Sequence, residues 1–204
     1  MGCMDGKTGL VVGIANDRSY AWFIAESIIR EGGTCLFTHL PGDKMERRAR
    51  KAIESLGVED PWLAPMDAST DESLDEAFAA IAQKTDTLDF LVHSIAFADK
   101  DWLKEGKFTA TPREVFTQAM DISAWTYMAM ANRALPMMSD GGSMLAMSYY
   151  GSEKAVPGYN VMGVAKAALE ATTRYLAMEL GQKNIRVNTI SGGPLRTMSS
   201  MAVG

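Results

Sequence analysis

Cysteine and histidine are scarce in this chain. Cys3 and Cys35 form no metal-like cluster with His39 and His93, the only two histidines. The sequence therefore offers no metal site, and the two cysteines read as reduced thiols of a cytoplasmic protein. Positive charge is not in excess either. The net charge is −5, with Lys and Arg scattered through the chain, which argues against a nucleic-acid or anionic-membrane surface. No apolar run is long enough to span a bilayer. The first residues lack the basic and then apolar segments of a secretory signal. Gly6 stands where a myristoylation signal needs Ser or Thr. There is no internal repeat and no low-complexity linker.

What remains is an ordinary globular composition, 47% apolar and 22% charged. A chain of 204 residues is expected to form one domain, residues 1–204, with a core that needs no staples. Short apolar runs alternate with helical patterns. Strands are expected over residues 9–14, 34–38, 62–66, 88–95, 143–148 and 185–190. Helices are expected over 20–31, 44–56, 71–85, 112–138 and 158–180. Ser69 or Thr70 is a candidate cap for the third helix. Ala165, Ala168, Leu169, Thr172, Leu176 and Leu180 form an apolar face on the last. The methionines at 128, 130, 137 and 138 read as core filler. Strand–helix alternation with apolar strands implies an α/β fold: a doubly wound, mostly parallel, Rossmann-like sheet in three α/β/α layers. Its ligand edge is where the strands end at their C-termini.

Tyr159 and Lys166 open the last helical pattern. Seven positions correspond to about 10 Å of rise and nearly two turns, so both side chains are expected on one face. Gly163 lies between them and leaves room for a large group to approach. A phenol and an ammonium in that arrangement suit polarising an oxygen and holding a hydroxylated ligand, although such a pair is more often a snorkelling surface feature.

Other candidates fall after strands. Gly13, Ala15, Ser19 and Ala21 line the first strand–helix turn, where a pyrophosphate would meet backbone N–H groups. The second strand runs into His39 and Leu40, and Asp43 lies too far on to serve as the acidic ribose partner, so NAD and NADP are not distinguished there. Asp67, before Ala68, either accepts from an adenine amino group or caps the following turn. The small residues after the fourth strand, Ser94, Ala96 and Ala98, suit a cofactor lying across it. His93 is assigned no role. Tyr149 follows the fifth strand, and the loop from Ser191 to Thr197 follows the sixth.

Four of these features carry a resemblance. They are Gly13, Ser19 and Ala21 in a Gly-x5-Ser-x-Ala turn; His93-Ser94-Ile95 ending the fourth strand; Tyr149 after the fifth; and six residues between Tyr159 and Lys166. The chain resembles the short-chain dehydrogenase/reductases, and within them the bacterial type I NADH-dependent enoyl-[acyl-carrier-protein] reductases. The resemblance implies reduction of trans-2-enoyl thioesters on acyl carrier protein, in fatty-acid elongation. It implies that Tyr159 bonds the thioester carbonyl, Lys166 holds the nicotinamide ribose and Tyr149 orients substrate. It implies a cofactor site of Gly13, Ala15, Ser19, Tyr20, Leu40, Asp67, Ala68, Ser94, Ile95, Ala96 and Lys166, continued by Pro194, Leu195, Arg196, Thr197, Met198 and Ser199. Ala98, Tyr149 and Tyr159 would touch the acyl group.

NADH is the implied cofactor, with NADPH left open, and a homotetramer the implied assembly. Leu40 replaces a common Gln, Tyr20 a common Ile and Ala96 a common Gly. Family members continue past the position of Gly204 with a helical segment and a last strand, which this chain is expected to lack. Two other readings are a relative acting on a ketone or alcohol, such as a 3-oxoacyl thioester, and a non-catalytic dinucleotide-binding protein. The six-residue Tyr–Lys gap disfavours the first, and the Tyr and Lys themselves disfavour the second.

Overall fold

The computed structural model describes residues 2–193. Its six strands are β1 (Thr8–Val12), β2 (Thr34–His39), β3 (Leu63–Pro65), β4 (Phe90–His93), β5 (Gly142–Ser148) and β6 (Ile185–Ser191). They form one sheet in the order β3-β2-β1-β4-β5-β6, and every neighbouring pair is parallel. The strand order reverses between β1 and β4. That makes a crevice at the C-terminal edge, where open α/β sheets take their ligands.

Helices cover both faces: α1 (Tyr20–Arg30), α2 (Asp43–Glu54), α3 (Asp71–Lys84), α4 (Arg113–Met120), α5 (Thr126–Ala134) and α6 (Asn160–Leu180). Alternation along each strand sorts the core into two layers. Val11, Phe37, Phe90 and Val92 pack with Ala21, Ala25, Ala49 and Ile53 from α1 and α2. Leu10, Leu36, Leu91, Met144 and Ala146 face the other way and pack with Leu74, Phe78, Tyr127, Met130, Leu169 and Leu176 from α3, α5 and α6. The expected three-layer, doubly wound sheet is the observed one.

Most expected boundaries hold to within two residues, with local chemistry behind each. The α1 helix stops where Gly32 adopts φ +89°, a conformation open to a residue without Cβ. Thr70, not Ser69, caps α3: its hydroxyl accepts from the Ser73 N–H at 3.3 Å. The α6 face is Ala165, Leu169, Thr173, Leu176 and Leu180, all buried. Thr173 rather than Thr172 takes the inward position and donates its hydroxyl proton to the Leu169 carbonyl at 2.9 Å. Met130, Met137 and Met138 fill the core, whereas Met128 lies on the outer side of α5 and is exposed.

The expected single helix over 112–138 is the main correction. It is α4, a π-helical turn at Asp121–Trp125, α5 and a short 3-10 turn at Leu135–Met137. The wider turn coincides with Ser123, which is fully buried. Its hydroxyl accepts from the Phe97 N–H at 2.9 Å and donates to the Phe97 carbonyl at 3.1 Å. Ser123 thereby ties the π turn to the segment that follows β4, and single π turns recur at functional sites.

Leu91 sits at the centre of the sheet, in register with Leu10 on β1 and Met144 on β5, and has no exposed surface. Leu91→Ala is expected to lower stability by about 2–5 kcal/mol, read as a drop in the urea midpoint at unchanged slope. A loss below about 1 kcal/mol would contradict this account of the core.

Candidate active site

The candidate residues of the crevice lie just past strand ends, on the rim of the sheet. The β1–α1 turn begins at Gly13, whose φ is +101°. A Cβ there would lie 2.2 Å from the Ser94 carbonyl oxygen and 3.1 Å from the Ile95 side chain. Gly13, Ser94 and Ile95 are thus brought into close contact, and only glycine fits. The turn continues through exposed Ala15 to Ser19. The Ser19 hydroxyl donates to the Asn16 carbonyl at 2.7 Å, which fixes the start of α1. No acidic residue occupies the first turn of α1, so its N–H groups present an unopposed positive end.

The adenosine side of the crevice is more ordinary. Asp67 Oδ1 accepts from the Ser69 N–H at 2.9 Å and the Ser69 hydroxyl at 2.7 Å. Of the two readings of Asp67, the turn cap is the one its bonds express. Leu40 is 56% exposed at the end of β2, an apolar surface against which a flat ring can lie. Ala68 is buried.

The nicotinamide side is where the candidates converge. The rings of Tyr149 and Tyr159 meet edge to face, with centroids 4.9 Å apart. Ala98 and Tyr159 pack on the same small cluster, formed by Leu103, Ala119, Val161, Met162 and Ala165. Burial pushes the Tyr159 phenol well above its usual range, with Tyr149 and Tyr20 adding to the effect. It stays protonated, and a donor, at neutral pH. Tyr20 reaches across from α1, and its hydroxyl donates to the Gly193 carbonyl.

Lys166 is 6% exposed, and its Nζ donates to the Met147 carbonyl at 2.7 Å. Burial pulls its pKa down to about 8, partly opposed by the Glu170 carboxylate one turn further on. An ammonium carries three donors, and Met147 takes one. The remainder suit the hydroxyls of a ribose, so a buried cation at this rim fits a nicotinamide nucleotide. The helix N-terminus behind Ser19 fits its pyrophosphate.

Two details differ from expectation. Tyr159 caps α6 rather than lying within it, and Asn160 begins the helix with φ +41°. The Asn160 side chain donates to the carbonyls of Trp102 and Lys104 at 2.7 and 2.8 Å, which anchors that strained start. Nor is Gly163 an open approach for a ligand. A Cβ there would lie 2.7 Å from the Gly151 carbonyl oxygen, and a Cβ on Gly151 would lie 2.4 Å from the Tyr159 ring. The space is filled by backbone, and the two glycines interlock the turn after β5 with α6.

Ser123, Asn160 and Glu170 were not singled out by sequence. Glu170 alone left a signal there, four positions after Lys166 on one helix face. Pro194, Leu195, Arg196, Thr197, Met198 and Ser199 lie outside the described residues. Among the described residues no three His, Cys, Asp or Glu side chains converge as metal ligands, and no helix is long and apolar enough to cross a membrane.

A parallel sheet with a glycine turn at its switch point and a Tyr/Lys pair on the helix after β5 is a nicotinamide-nucleotide oxidoreductase scaffold. Residues 13–204 match the family model described as enoyl-(acyl carrier protein) reductase. The chain is 45% identical to enoyl-[acyl-carrier-protein] reductase [NADH] 1 of Rhizobium meliloti, over all of this chain and 73% of that protein. It is 46% identical to the corresponding NADH enzyme of Synechocystis, over 98% of this chain and 78% of that protein.

The crystal structure of the Bacillus cereus enoyl-acyl carrier protein reductase, solved with NADP+ and an indole naphthyridinone, superposes with a TM-score of 0.95. It is 45% identical, covering all of this chain and 79% of that one. The Anaplasma phagocytophilum reductase in complex with NAD superposes with a TM-score of 0.91 at 46% identity, covering 98% of this chain and 75% of that one. The chain belongs to the enoyl-[acyl-carrier-protein] reductase family and spans about three quarters of the length of these relatives.

His93 is fully buried beneath this site, with Nε2 2.9 Å from the Thr126 hydroxyl. Burial, helped by the Lys166 charge, moves its pKa down from 6.5 to about 3. As pH falls through that window the unfolded chain binds a proton that the folded chain refuses, so stability falls. Denaturant melts from pH 7 to 4 are expected to show a shallower loss for His93→Gln than for wild type. Parallel losses would contradict a neutral buried imidazole.

Proposed function

We propose that the chain reduces the carbon–carbon double bond of trans-2-enoyl thioesters carried on acyl carrier protein, with NADH as reductant. The observation that carries this reading is the Tyr149–Tyr159 contact beside the buried Lys166 at the C-terminal edge of the sheet. Bound NADH supplies the hydride that reaches the β-carbon. Gly13, Ala15, Ser19 and Tyr20 would hold its pyrophosphate side and Leu40 and Ala68 its adenosine, with Asp67 shaping the adjoining turn through Ser69. Ser94, Ile95 and Ala96 would line its nicotinamide end, and Lys166 would donate to the ribose hydroxyls.

Negative charge appears on the thioester oxygen only as the β-carbon accepts hydride. A preplaced donor therefore acts mainly on the transition state. Tyr159, kept protonated by burial, is that donor, and the Lys166 ammonium favours the same charge. Tyr149 braces the Tyr159 ring and orients the thioester, while Ala98 packs on the acyl chain. A proton delivered to the α-carbon completes the reduction.

Residues 1–204 act as one cofactor-binding and catalytic domain. Family likeness supports a cytoplasmic homotetramer that takes its substrate from acyl carrier protein. A relative acting on ketones is disfavoured by the six-residue Tyr–Lys gap.

The test is NADH oxidation with crotonyl thioester. Wild type is expected to turn over. Tyr159→Phe is expected to lose roughly 10- to 1000-fold in kcat, the range for removal of one oxyanion donor or acid. Lys166→Ala is expected to raise the KM for NADH. Absence of turnover in wild type, or unaltered kinetics in both variants, would defeat the reading. Faster turnover with NADPH would reverse the cofactor preference.

A further inference from the structure

Glu170 is a half-buried carboxylate on α6 that the chemistry above does not use. Its Oε1 accepts two hydroxyl hydrogen bonds, one from Ser148 and one from Ser152 at 2.6 Å. These serines bracket Tyr149: Ser148 is the last residue of β5, and Ser152 closes the turn by donating its N–H to the Tyr149 carbonyl at 2.9 Å. One helical turn earlier, Lys166 holds the carbonyl of Met147 at 2.7 Å. Between them, Gly151 rests against Gly163 and the Tyr159 ring. The residues on either side of Tyr149 are thus tied to α6 from Lys166, Gly163 and Glu170, while its own ring touches only Tyr159 among the aromatic side chains of the described residues.

We infer that Glu170 is a positioning residue: by gripping Ser148 and Ser152 it sets where the Tyr149 and Tyr159 hydroxyls stand relative to the thioester. Hydrogen bonds to an ionised acceptor are about twice as strong as neutral ones. Two of them converging on one oxygen make a fixed point that neither serine could supply alone. A displacement of about 1 Å at the reacting atoms costs on the order of 100-fold in rate, so a loosened turn is read in kcat. On α6 the cofactor would be met by Lys166, which keeps its own bond to the Met147 carbonyl, so NADH affinity is expected to change less than kcat. The inference rests on the reading of Tyr149 and Tyr159 given above.

The test compares Glu170→Ala, Glu170→Gln, Ser152→Ala and Tyr159→Phe in the full protein, using crotonyl thioester turnover, NADH affinity by fluorescence and amide exchange over residues 148–152. Glu170→Ala is expected to lose roughly 10- to 100-fold in kcat, to bind NADH within about threefold of wild type, and to exchange the 148–152 amides faster. Glu170→Gln retains a carbonyl oxygen able to accept from both serines and is expected to restore turnover to within about threefold. Ser152→Ala is expected to fall between wild type and Glu170→Ala, and it carries the test if the alanine at 170 does not fold.

Turnover of Glu170→Ala or, in that event, of Ser152→Ala within twofold of wild type would overturn the inference. So would Glu170→Gln as slow as Glu170→Ala, or NADH affinity falling in step with kcat. If Tyr159→Phe alone keeps full activity, the failure belongs to the catalytic reading instead.

Discussion

A cation removed from water against the end of a central strand is the constraint on which the site depends. Moving the Lys166 pKa from 10.5 to about 8 corresponds to on the order of 3 kcal/mol against the charged form. Burial would cost more without the partners that the charge keeps. The Met147 carbonyl is one partner, and the Glu170 carboxylate a turn away is the other. Both oblige α6 to lie over the C-terminal end of β5. Once α6 lies there, Tyr159 at its start and Tyr149 at the end of the strand have no other place to meet.

The rest of the scaffold serves that alignment in smaller ways. Interlocked Gly151 and Gly163 allow the turn and the helix to approach more closely than any side chain would permit. Asn160 accepts a left-handed backbone and ties the helix start to the 102–104 segment. Ser123 holds the chain after β4 against the π turn, so the loop bearing Ala98 is set from the far side. His93, neutral beneath Lys166, adds no second positive charge. Each device is local, and together they give a pair of phenols a rigid setting at an edge where other groups must come and go.

Much of this was legible in the residues. Alternating apolar runs and helical patterns located all six strands and the layers between them, because burial on both faces leaves little ambiguity in a parallel sheet. Tyr149, Tyr159 and Lys166 were readable because their spacing and their places after strands are local properties. The π turn was not, since a single widened turn shifts the helical phase too little to stand out within the pattern over 112–138, and the Phe97 backbone that Ser123 bonds lies 26 residues away. Gly163 was misread for a related reason. A missing side chain announces close approach but not by what, and the neighbour turned out to be a carbonyl of the chain itself. Glu170 carried the right spacing from Lys166, yet its serine partners are set by the turn after β5, which no helical pattern reveals.

Kinship with the enoyl-[acyl-carrier-protein] reductases carries the enoyl-thioester chemistry, and the buried Lys166 beside β5 is compatible with it. The central claim is geometric: one nicotinamide nucleotide lies between the amine of Lys166 and the phenol of Tyr159. The most direct measurement is a crystal structure of the full protein with NAD and a saturated or unreactive enoyl thioester analogue. The account predicts Lys166 Nζ within hydrogen-bond distance of the nicotinamide ribose, and Tyr159 Oη within that distance of the thioester oxygen. A nicotinamide seated away from both groups would contradict it.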